Sequence, residues 1–206
     1  MNLLHHLVVA QILHEKLGWP QRLRGAMLLG AIAPDAHTEM EGLDRSIFHP
    51  AEGSDAVDFT LNRIDPPSAV SDAQGKAFAV SCIGHLVSDQ MTRSNKYHLP
   101  PHAPTGFQPV NGPAGADGEA LILDAGAVVR DLMRAEAPCL PSPLTLDALD
   151  AKRWEVLARY PLVEGEGLFL IVEPLASVAR ECAAATLTAI IASDLGANLL
   201  AGRPLR

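Results

Sequence analysis

The chain has 206 residues, which suits one domain with a sizeable buried core. Hydrophobic residues make up 48% of the chain and aromatic residues only 4%, so small aliphatic side chains fill the interior and packed helices are favoured over sheets. The net charge of −8 argues against a nucleic-acid backbone as the main partner, because binding it requires a basic surface. A phosphate ester held by a metal stays compatible with this charge.

Cysteine usage and the first residues predict an intracellular, reduced protein. Cys82, Cys139 and Cys182 are odd in number and show no CxxC pairing, which favours buried thiols over a disulfide. The start, MNLLHHLVV, lacks the basic region and cleavage site of a secretory signal. No stretch reaches the roughly 18 consecutive apolar residues that span a bilayer, and the longest candidate, 183–192, is interrupted by threonines. We therefore expect a cytoplasmic protein with no transmembrane segment.

Two helices are predicted at the start of the chain. Apolar residues recur at helical spacing from Leu3 to Leu17, and Gly18 provides a stop. Pro20 opens a second helix, whose small residues allow another backbone to approach closely. Pro34 ends that helix, so Asp35 projects from the end of a rigid element.

A polar connection over 36–53 carries His49, and a short helix over 55–64, capped by Ser54, follows it. The next helix is predicted to start at Ser68 or Ser71 and to include 76–92, KAFAVSCIGHLVSDQMT. That stretch is apolar on more than one side, which is typical of a helix at the centre of a domain.

His85 and Asp89 stand four residues apart on this central helix, so both side chains lie on one face. Burying an ionisable pair is costly unless it has a partner. Two interpretations remain open from spacing alone: the pair binds a metal ion, or the two side chains hydrogen-bond to each other.

The second half predicts a long loop and three more helices. Proline and glycine dominate 94–118, which is typical of a lid, a binding loop or local disorder. Helices are expected over 119–137 and 145–160, and from about Leu168 to Leu200, with a kink at Pro174. With six or seven helices and no convincing strand, we predict one all-α domain over 1–206.

All eight histidines lie in the first half of the chain, which indicates one site built from the first few elements; they stand at positions 5, 6, 14, 37, 49, 85, 98 and 102. Imidazole and carboxylate are the ligands of catalytic Zn²⁺ sites. Taken singly, each candidate also has an ordinary interpretation. His6 suits a satisfied core or surface residue, Asp35 a turn cap and His49 a loop residue. The further candidates His37, His98 and His102 suit solvated or lid positions.

Taken together, four motifs resemble the bacterial zinc-dependent phospholipase C family, whose all-α fold is shared with fungal single-strand nucleases. An early histidine before an apolar run is matched by His6 in HLVVA, and the turn after a small-residue helix by LLGAIAPD, ending at Asp35. His49 follows fourteen residues later, and IGHLVSD carries His85 and Asp89 in the order of the family's core signature. The resemblance covers roughly 1–89.

The resemblance implies a set of roles. His49, His85 and Asp89 would hold one zinc ion, and His6 would hold a second ion together with a bridging Asp89. Asp35 would act as general base or would orient the attacking water. Two such ions stabilise the entering and the leaving oxygen of a phosphoryl displacement. The substrate implied is a small-molecule or lipid phosphoester.

The chain also departs from the family pattern. Asn95 stands near the position of a later family histidine, and no HxxxE pair for a third zinc occurs downstream. The family's free N-terminal ligand has no counterpart, because Met1 precedes His5 by four residues. We therefore expect a smaller site that holds one or two ions. Four residues could act as substitute ligands: His98, His102, Glu119 and Asp124.

Two functions follow from these observations. The first is a metal-dependent hydrolase of phosphoester bonds. The second is a non-catalytic helical domain with a degenerate metal site that binds a ligand or a protein partner, which the missing third-zinc ligands favour. A His-Asp phosphohydrolase of the other helical metal class is disfavoured, because the chain has no adjacent His-Asp dipeptide. The sequence leaves the oligomeric state open.

Overall fold

The computed structural model describes residues 3–51, 53–65, 67–93, 107–110, 121–159, 167–171 and 175–200. Within these ranges the chain forms eight α-helices: α1 Leu3–Lys16, α2 Arg24–Ile32, α3 Ala56–Leu61, α4 Ala73–Arg93, α5 Ala125–Arg134, α6 Leu146–Arg159, α7 Leu175–Ala192 and α8 Ala197–Leu200. The same ranges contain five short strands: β1 Ile64–Asp65, β2 Phe107–Val110, β3 Leu121–Asp124, β4 Leu140–Pro141 and β5 Leu168–Ile171. Four 3-10 segments connect them: Gln21–Leu23, Ala33–Glu39, Arg45–Ile47 and Pro67–Ser71. The prediction of a mainly helical protein is confirmed.

Helix α4 lies at the centre of the helical core. It contacts α1, α2, α3 and α7, and the residues from Ala77 to Asp89 are all buried. This agrees with the sequence, because a helix that is apolar on several sides needs neighbours on each of them. The turn of α4 that carries His85 and Asp89 is therefore buried among neighbouring helices.

The backbones of α2 and α4 approach each other closely at Gly30. A Cβ atom added to Gly30 would lie 2.2 Å from the carbonyl oxygen of Phe78, a distance that real Cβ atoms do not reach. The small-residue pattern of α2 predicted such an approach. Because α2 leads directly into the 3-10 segment 33–39, this contact fixes the position of Asp35 relative to His85.

The prediction that the chain has no strand is wrong. Strands β2, β5 and β3 form an antiparallel three-stranded sheet in that order. The predicted helices over 119–137 and 168–200 therefore each begin with a strand, and α5 and α7 start only at Ala125 and Leu175. Short apolar runs such as LILD and LFLI fit a strand as well as a buried helix turn, so periodicity does not separate the two.

The predicted loop over 94–118 contains strand β2, and the rest of it lies outside the described residues. Pro109 pairs in register with Phe169 of β5. Strand β2 is at the edge of the sheet, where a proline is tolerated because one side of the strand needs no partner. A proline-rich composition therefore did not prevent strand pairing here.

Aspartates mark three helix starts that the sequence placed elsewhere or left open. The Asp55 carboxylate, rather than Ser54, accepts hydrogen bonds from the backbone N–H groups of Val57 and Asp58. Asp72, the residue before α4, accepts a hydrogen bond from the N–H of Gly75. Asp124, the residue before α5, accepts one from the N–H of Ala127. Each carboxylate satisfies N–H groups that lack a partner within the helix.

Helix α7 is long and apolar enough to pass a test for a membrane-crossing helix, with a mean hydropathy of 1.4 over 18 residues. This is weak evidence, because a core helix of a soluble protein passes the same test. Helix α7 packs against α1 and α4. The expectation of no transmembrane segment stays a prediction.

Replacing Gly30 by alanine is expected to lower the free energy of unfolding by about 3 kcal/mol, because the new methyl group meets backbone that cannot move alone. Urea denaturation measures this change. Gly84→Ala on α4 is the matched control, since its Cβ would lie 2.9 Å from the end of the flexible Leu13 side chain. We expect that variant to lose less than about 1 kcal/mol. Equal losses for both variants would contradict the backbone-contact explanation.

Candidate metal centre

Four separate elements bring the five predicted site residues together. Helix α1 supplies His6, and the 3-10 segment after α2 supplies Asp35. His49 follows the 3-10 turn Arg45–Ile47, and α4 supplies His85 and Asp89. The side chains of the four residues other than Asp35 are at most 4% exposed, whereas that of Asp35 is 20% exposed. Asp35 is therefore the one of the five that solvent reaches.

Four of these side chains present atoms at the spacing of ligands around one ion. The Nε2 atom of His49 lies 3.2 Å from Nε2 of His85, 3.2 Å from Oδ1 of Asp35 and 3.5 Å from Oδ2 of Asp89. His85 Nε2 lies 3.6 Å from the same Asp35 oxygen. A tetrahedral zinc ion with bonds of about 2.0–2.1 Å separates its ligand atoms by about 3.3 Å. These four separations are close to that value.

His6 approaches the other oxygen of Asp89. Its Nε2 atom lies 3.4 Å from Oδ1 of Asp89, and its ring stacks on that of His85 with centroids 3.6 Å apart. His6, His85 and Asp89 each offer one ligand atom within 4.8 Å of the other two. Asp89 therefore lies between two groups of imidazoles, one facing each of its oxygens.

Backbone carbonyls fix the orientation of two of the imidazoles. Nδ1 of His85 lies 2.7 Å from the carbonyl oxygen of Ala31, and Nδ1 of His37 lies 2.8 Å from that of Pro34. A carbonyl oxygen only accepts hydrogen bonds, so Nδ1 donates in both cases. In the neutral ring Nε2 then carries the lone pair, which is the arrangement of a metal-binding histidine held by an outer hydrogen bond.

Pro34 explains why the Ala31 carbonyl is available. In the 3-10 segment Ala33–Glu39, the residue three positions after Ala31 is Pro34, which has no N–H to donate. The Ala31 carbonyl therefore lacks its local 3-10 donor and accepts from His85 instead. The same proline that ends α2 thus also orients the central imidazole.

Both carboxylates of the site are held in the ionised form despite their burial. Burial alone would raise the pKa of Asp35, but the charge of His85 and the proximity of the His49 ring hold that pKa well below its usual range. Burial also opposes ionisation of Asp89, whose pKa is held low by His6 and His85. Burial would lower the pKa of His85, yet the charge of Asp35 raises it above its ordinary value. Two ionised carboxylates attract a proton here and would attract a cation in the same way.

His6 and His49 contain nitrogen atoms that the described residues leave unsatisfied. Neither nitrogen of the buried His6 ring makes a hydrogen bond, although Nε2 faces Asp89, and Nδ1 of His49 makes none. Burial, followed by the proximity of His85, lowers the pKa of His6 to about 4, so the ring is neutral near pH 7. Burial likewise lowers the pKa of His49. A neutral buried imidazole facing a carboxylate fits a metal ion by its donor chemistry.

His37 also belongs to this cluster. It forms a second possible ligand group with Asp35 and His49, in which the ligand atoms lie within 4.8 Å of one another. Its ring stacks on Phe48 at a centroid distance of 5.6 Å and meets the ring of His49 at 5.3 Å. Among the three further candidates, His37 lies at the site, and its Nε2 atom is the nitrogen left for an ion.

The remaining candidates divide into two groups. His98, His102 and Glu119 lie outside the described residues. Asp124 caps α5 and belongs to neither of the ligand groups found in the described part of the chain. The expectation that Asp124 could substitute as a ligand is therefore not supported by its position.

Two arginines at the site were missed by the sequence analysis. The guanidinium of Arg45 donates to Oδ2 of Asp89 at very short range, and Nη2 of Arg93 lies 3.1 Å from the same oxygen. Arg93 follows Asp89 by four residues on α4, so helical spacing could have revealed it. Arg45 begins the short 3-10 turn Arg45–Ile47, 44 residues before Asp89 in the sequence, so spacing carries no comparable signal for it.

Comparisons of this chain with protein-family models, curated proteins and solved structures find no match. The interpretation of the site therefore depends on its own geometry and chemistry.

Lys152 supports the segment that carries Asp35 and His37. This buried lysine on α6 lies 2.7 Å from the Thr38 hydroxyl and 3.2 Å from Glu39, and it also contacts Glu155. The Thr38 hydroxyl in turn donates to the backbone carbonyl of Asp35 at 2.9 Å. Helix α6 thus holds the 3-10 segment in place from outside the metal-binding cluster.

Lys152→Met is expected to lower the free energy of unfolding by about 2 kcal/mol, because it leaves two partly buried carboxylates without their shared cation. Chemical denaturation at pH 7.5 measures the loss. Asp150→Asn on the same helix is the matched control, since it removes only an exposed partner of Arg153 and should cost less than about 1 kcal/mol. A loss as small as that of the control would show that Lys152 does not hold the segment.

His5 is expected to make the metal-free protein sensitive to acid. Burial, with His6 beside it, lowers the pKa of His5 to about 3 from its ordinary value of 6.5. Between pH 6.5 and about pH 3, His5 binds a proton in the unfolded chain but not in the folded chain. Protonation of the unfolded chain therefore lowers the free energy of unfolding as the pH falls below 6.5, and His5 has no such effect above that pH. At about pH 5 the loss from this group is about 2 kcal/mol.

The measurement compares denaturation of the wild type and His5→Gln in chelator at about pH 7.5 and pH 5. Each protein is compared with itself, so the static cost of the substitution cancels. We expect the stability lost on acidification to be smaller by about 2 kcal/mol in the variant. The same loss in both proteins would mean that His5 does not titrate in this way.

Proposed function

We propose that this protein is a metal-dependent hydrolase of phosphoester bonds that uses a bound divalent ion to activate water. The observation that carries the proposal is the convergence of side chains from three separate elements: His49 Nε2 lies 3.2–3.5 Å from His85 Nε2, Asp35 Oδ1 and Asp89 Oδ2, and His85 Nε2 lies 3.6 Å from Asp35 Oδ1. A cation among these side chains would offset the cost of burying ionised carboxylates beside imidazole nitrogens that lack hydrogen-bond partners in the described residues. The likeness of the four motifs to zinc-dependent phospholipase C gives the same expectation, including its all-α fold.

Zinc is the ion we propose, at one or two positions. Nitrogen and carboxylate oxygen ligands at tetrahedral spacing suit Zn²⁺, whereas Mg²⁺ and Ca²⁺ prefer oxygen ligands alone. His49, His85, Asp35 and Asp89 would hold the first ion. His6 and Asp89 would hold the second.

The residues of the site would have separate roles. Burial keeps His6 neutral near pH 7, and the hydrogen bond to the Ala31 carbonyl turns the Nε2 atom of His85 inward. A bound ion would lower the pKa of water and would stabilise the charge that develops on a phosphoryl group. Asp35 is the solvent-accessible member of the set, so its carboxylate is placed to orient an incoming water. The lowered pKa of Asp35 favours orienting that water over removing its proton.

The substrate we propose is a small or lipid phosphoester rather than nucleic acid. The net charge of −8 opposes the approach of a polyanion over a long surface. A single phosphate group needs only the local positive charge that the ion and its neighbours supply. This proposal assigns the chemistry of the site and the class of its substrate.

A second candidate function is a non-catalytic domain whose metal is structural. One observation favours it: four protein side chains converge at the first position. Structural zinc sites are normally closed by four protein ligands, whereas catalytic sites keep a position open. Such a metal would stabilise the fold without hydrolysing a substrate. The two candidates share the metal and differ in activity.

Metal analysis of the purified protein tests both candidates. We expect at least about 0.5 equivalent of zinc, lost in His85→Ala because His85 faces both groups of ligands. His14→Ala is the matched control: His14 is also a buried histidine of α1, but it bonds to the Pro20 carbonyl away from the cluster, so that variant should keep its metal.

Chelation should also lower the melting temperature of the wild type, because an ion at 100 times its dissociation constant stabilises the folded state by about 2.7 kcal/mol. Hydrolysis of p-nitrophenyl phosphoesters by the zinc-loaded protein supports the hydrolase. A zinc-dependent melting temperature without any hydrolysis supports the structural metal instead. Absence of metal from the wild type, with a melting curve that chelator leaves unchanged, would contradict both.

A further inference from the structure

The two arginines at Asp89 form an exposed cationic edge on an otherwise buried centre. Both guanidiniums donate to Oδ2 of Asp89, whose side chain is 4% exposed. The side chains of Arg45 and Arg93 are 51% and 39% exposed. Each guanidinium carries five N–H donors, and its contact with Asp89 uses one nitrogen. The other donors remain available on the solvent side.

The single negative charge of Asp89 does not neutralise both guanidinium charges. A single carboxylate neutralises one guanidinium, and Asp89 also faces His6 and His49. When one divalent ion is balanced by Asp35 and Asp89, both guanidinium charges are in excess. The described contacts of the cluster thus carry a surplus of about two positive charges beside the ion.

The position of this surplus is set by the elements that hold the ligands. Arg45 begins the 3-10 turn that leads to His49, and Arg93 is the last residue of α4, one turn after Asp89. A ligand in contact with both arginines would therefore lie beside Asp89, on the side of the centre that is open to solvent. Planar guanidiniums that donate pairs of parallel hydrogen bonds are well suited to phosphate oxygens.

We infer that Arg45 and Arg93 bind the terminal phosphate of a phosphate monoester, whose two negative charges match their two positive charges. This inference depends on the proposed hydrolase function and narrows its substrate class. Hydrolysis would form a bond from the water oxygen to phosphorus and break the bond from phosphorus to the ester oxygen. One proton of the water would end on the released alcohol, and the other product would be inorganic phosphate.

A phosphodiester fits this edge less well. It carries one negative charge, and two of its four oxygens are blocked by carbon. One guanidinium would then keep an uncompensated charge and would lose a bidentate partner. Hydrogen bonds to charged groups contribute about 1.5–3 kcal/mol each, so the preference for the dianion should be at least about tenfold.

Isothermal titration calorimetry of the zinc-loaded protein, freed of excess ion, tests the inference with inorganic phosphate and with dimethyl phosphate. We expect the wild type to bind phosphate at least about tenfold more tightly than dimethyl phosphate. Arg45→Gln and Arg93→Gln should each weaken phosphate binding by at least about tenfold while the zinc content stays that of the wild type. Arg45→Lys should fall between, because it keeps the charge but loses the planar pair of donors.

Arg22→Gln is the matched control, an exposed arginine outside the site, and should leave phosphate affinity unchanged. Unchanged affinity in both site variants would overturn the inference, as would equal binding of the two anions by the wild type. Loss of zinc from the arginine variants would also overturn it, because the guanidiniums would then act through Asp89 alone. A wild type that binds no zinc would instead refute the proposed function, and this inference with it.

Discussion

The close contact between α2 and α4 is the constraint on which the candidate site depends. Gly30 lets the two backbones meet at Phe78, and one residue later the Ala31 carbonyl receives the hydrogen bond of His85. A larger side chain at position 30 would separate the helices and remove that bond. Because α2 continues into the segment that carries Asp35, the same contact sets the distance between Asp35 and the two facing imidazoles. Packing at one small residue therefore controls the geometry of ionisable groups about one to two helical turns away.

The site gathers charge that a protein interior normally excludes. Asp89 is almost fully buried, and Asp35 is largely so, yet both carboxylates are held in the ionised form by the groups around them. Inward-facing imidazoles, two guanidiniums at the edge and the ion that we propose all contribute to this stabilisation. The arrangement differs from a simple buried ion pair, because the guanidinium partners of Asp89 are themselves partly exposed to solvent.

Sequence reasoning located the candidate ligands better than it located the secondary structure. His85 and Asp89 were predicted from helical spacing, which is a local property, and the ordered motifs added His6, Asp35 and His49. Spacing could not give the distances among residues from different elements, because these depend on how α1, α2 and α4 pack. Strands β3 and β5 were missed since a four-residue apolar run fits two structures equally well. Arg45 was missed because its contact with Asp89 joins the 3-10 turn Arg45–Ile47 to α4. The residues around Arg45 in the sequence give no sign of that contact.

The order of the contributing segments along the chain has a consequence for how the protein would assemble. His6, Asp35, His49 and the pair on α4 come from successive stretches, so an ion that joins them would act as a covalent cross-link does and would close three consecutive loops at one point. Closing loops of this kind removes conformational entropy mainly from the unfolded chain. Capture of the ion and collapse of the first ninety residues would then be one cooperative event, and the later helices would dock onto a nucleus that its ligands already hold together.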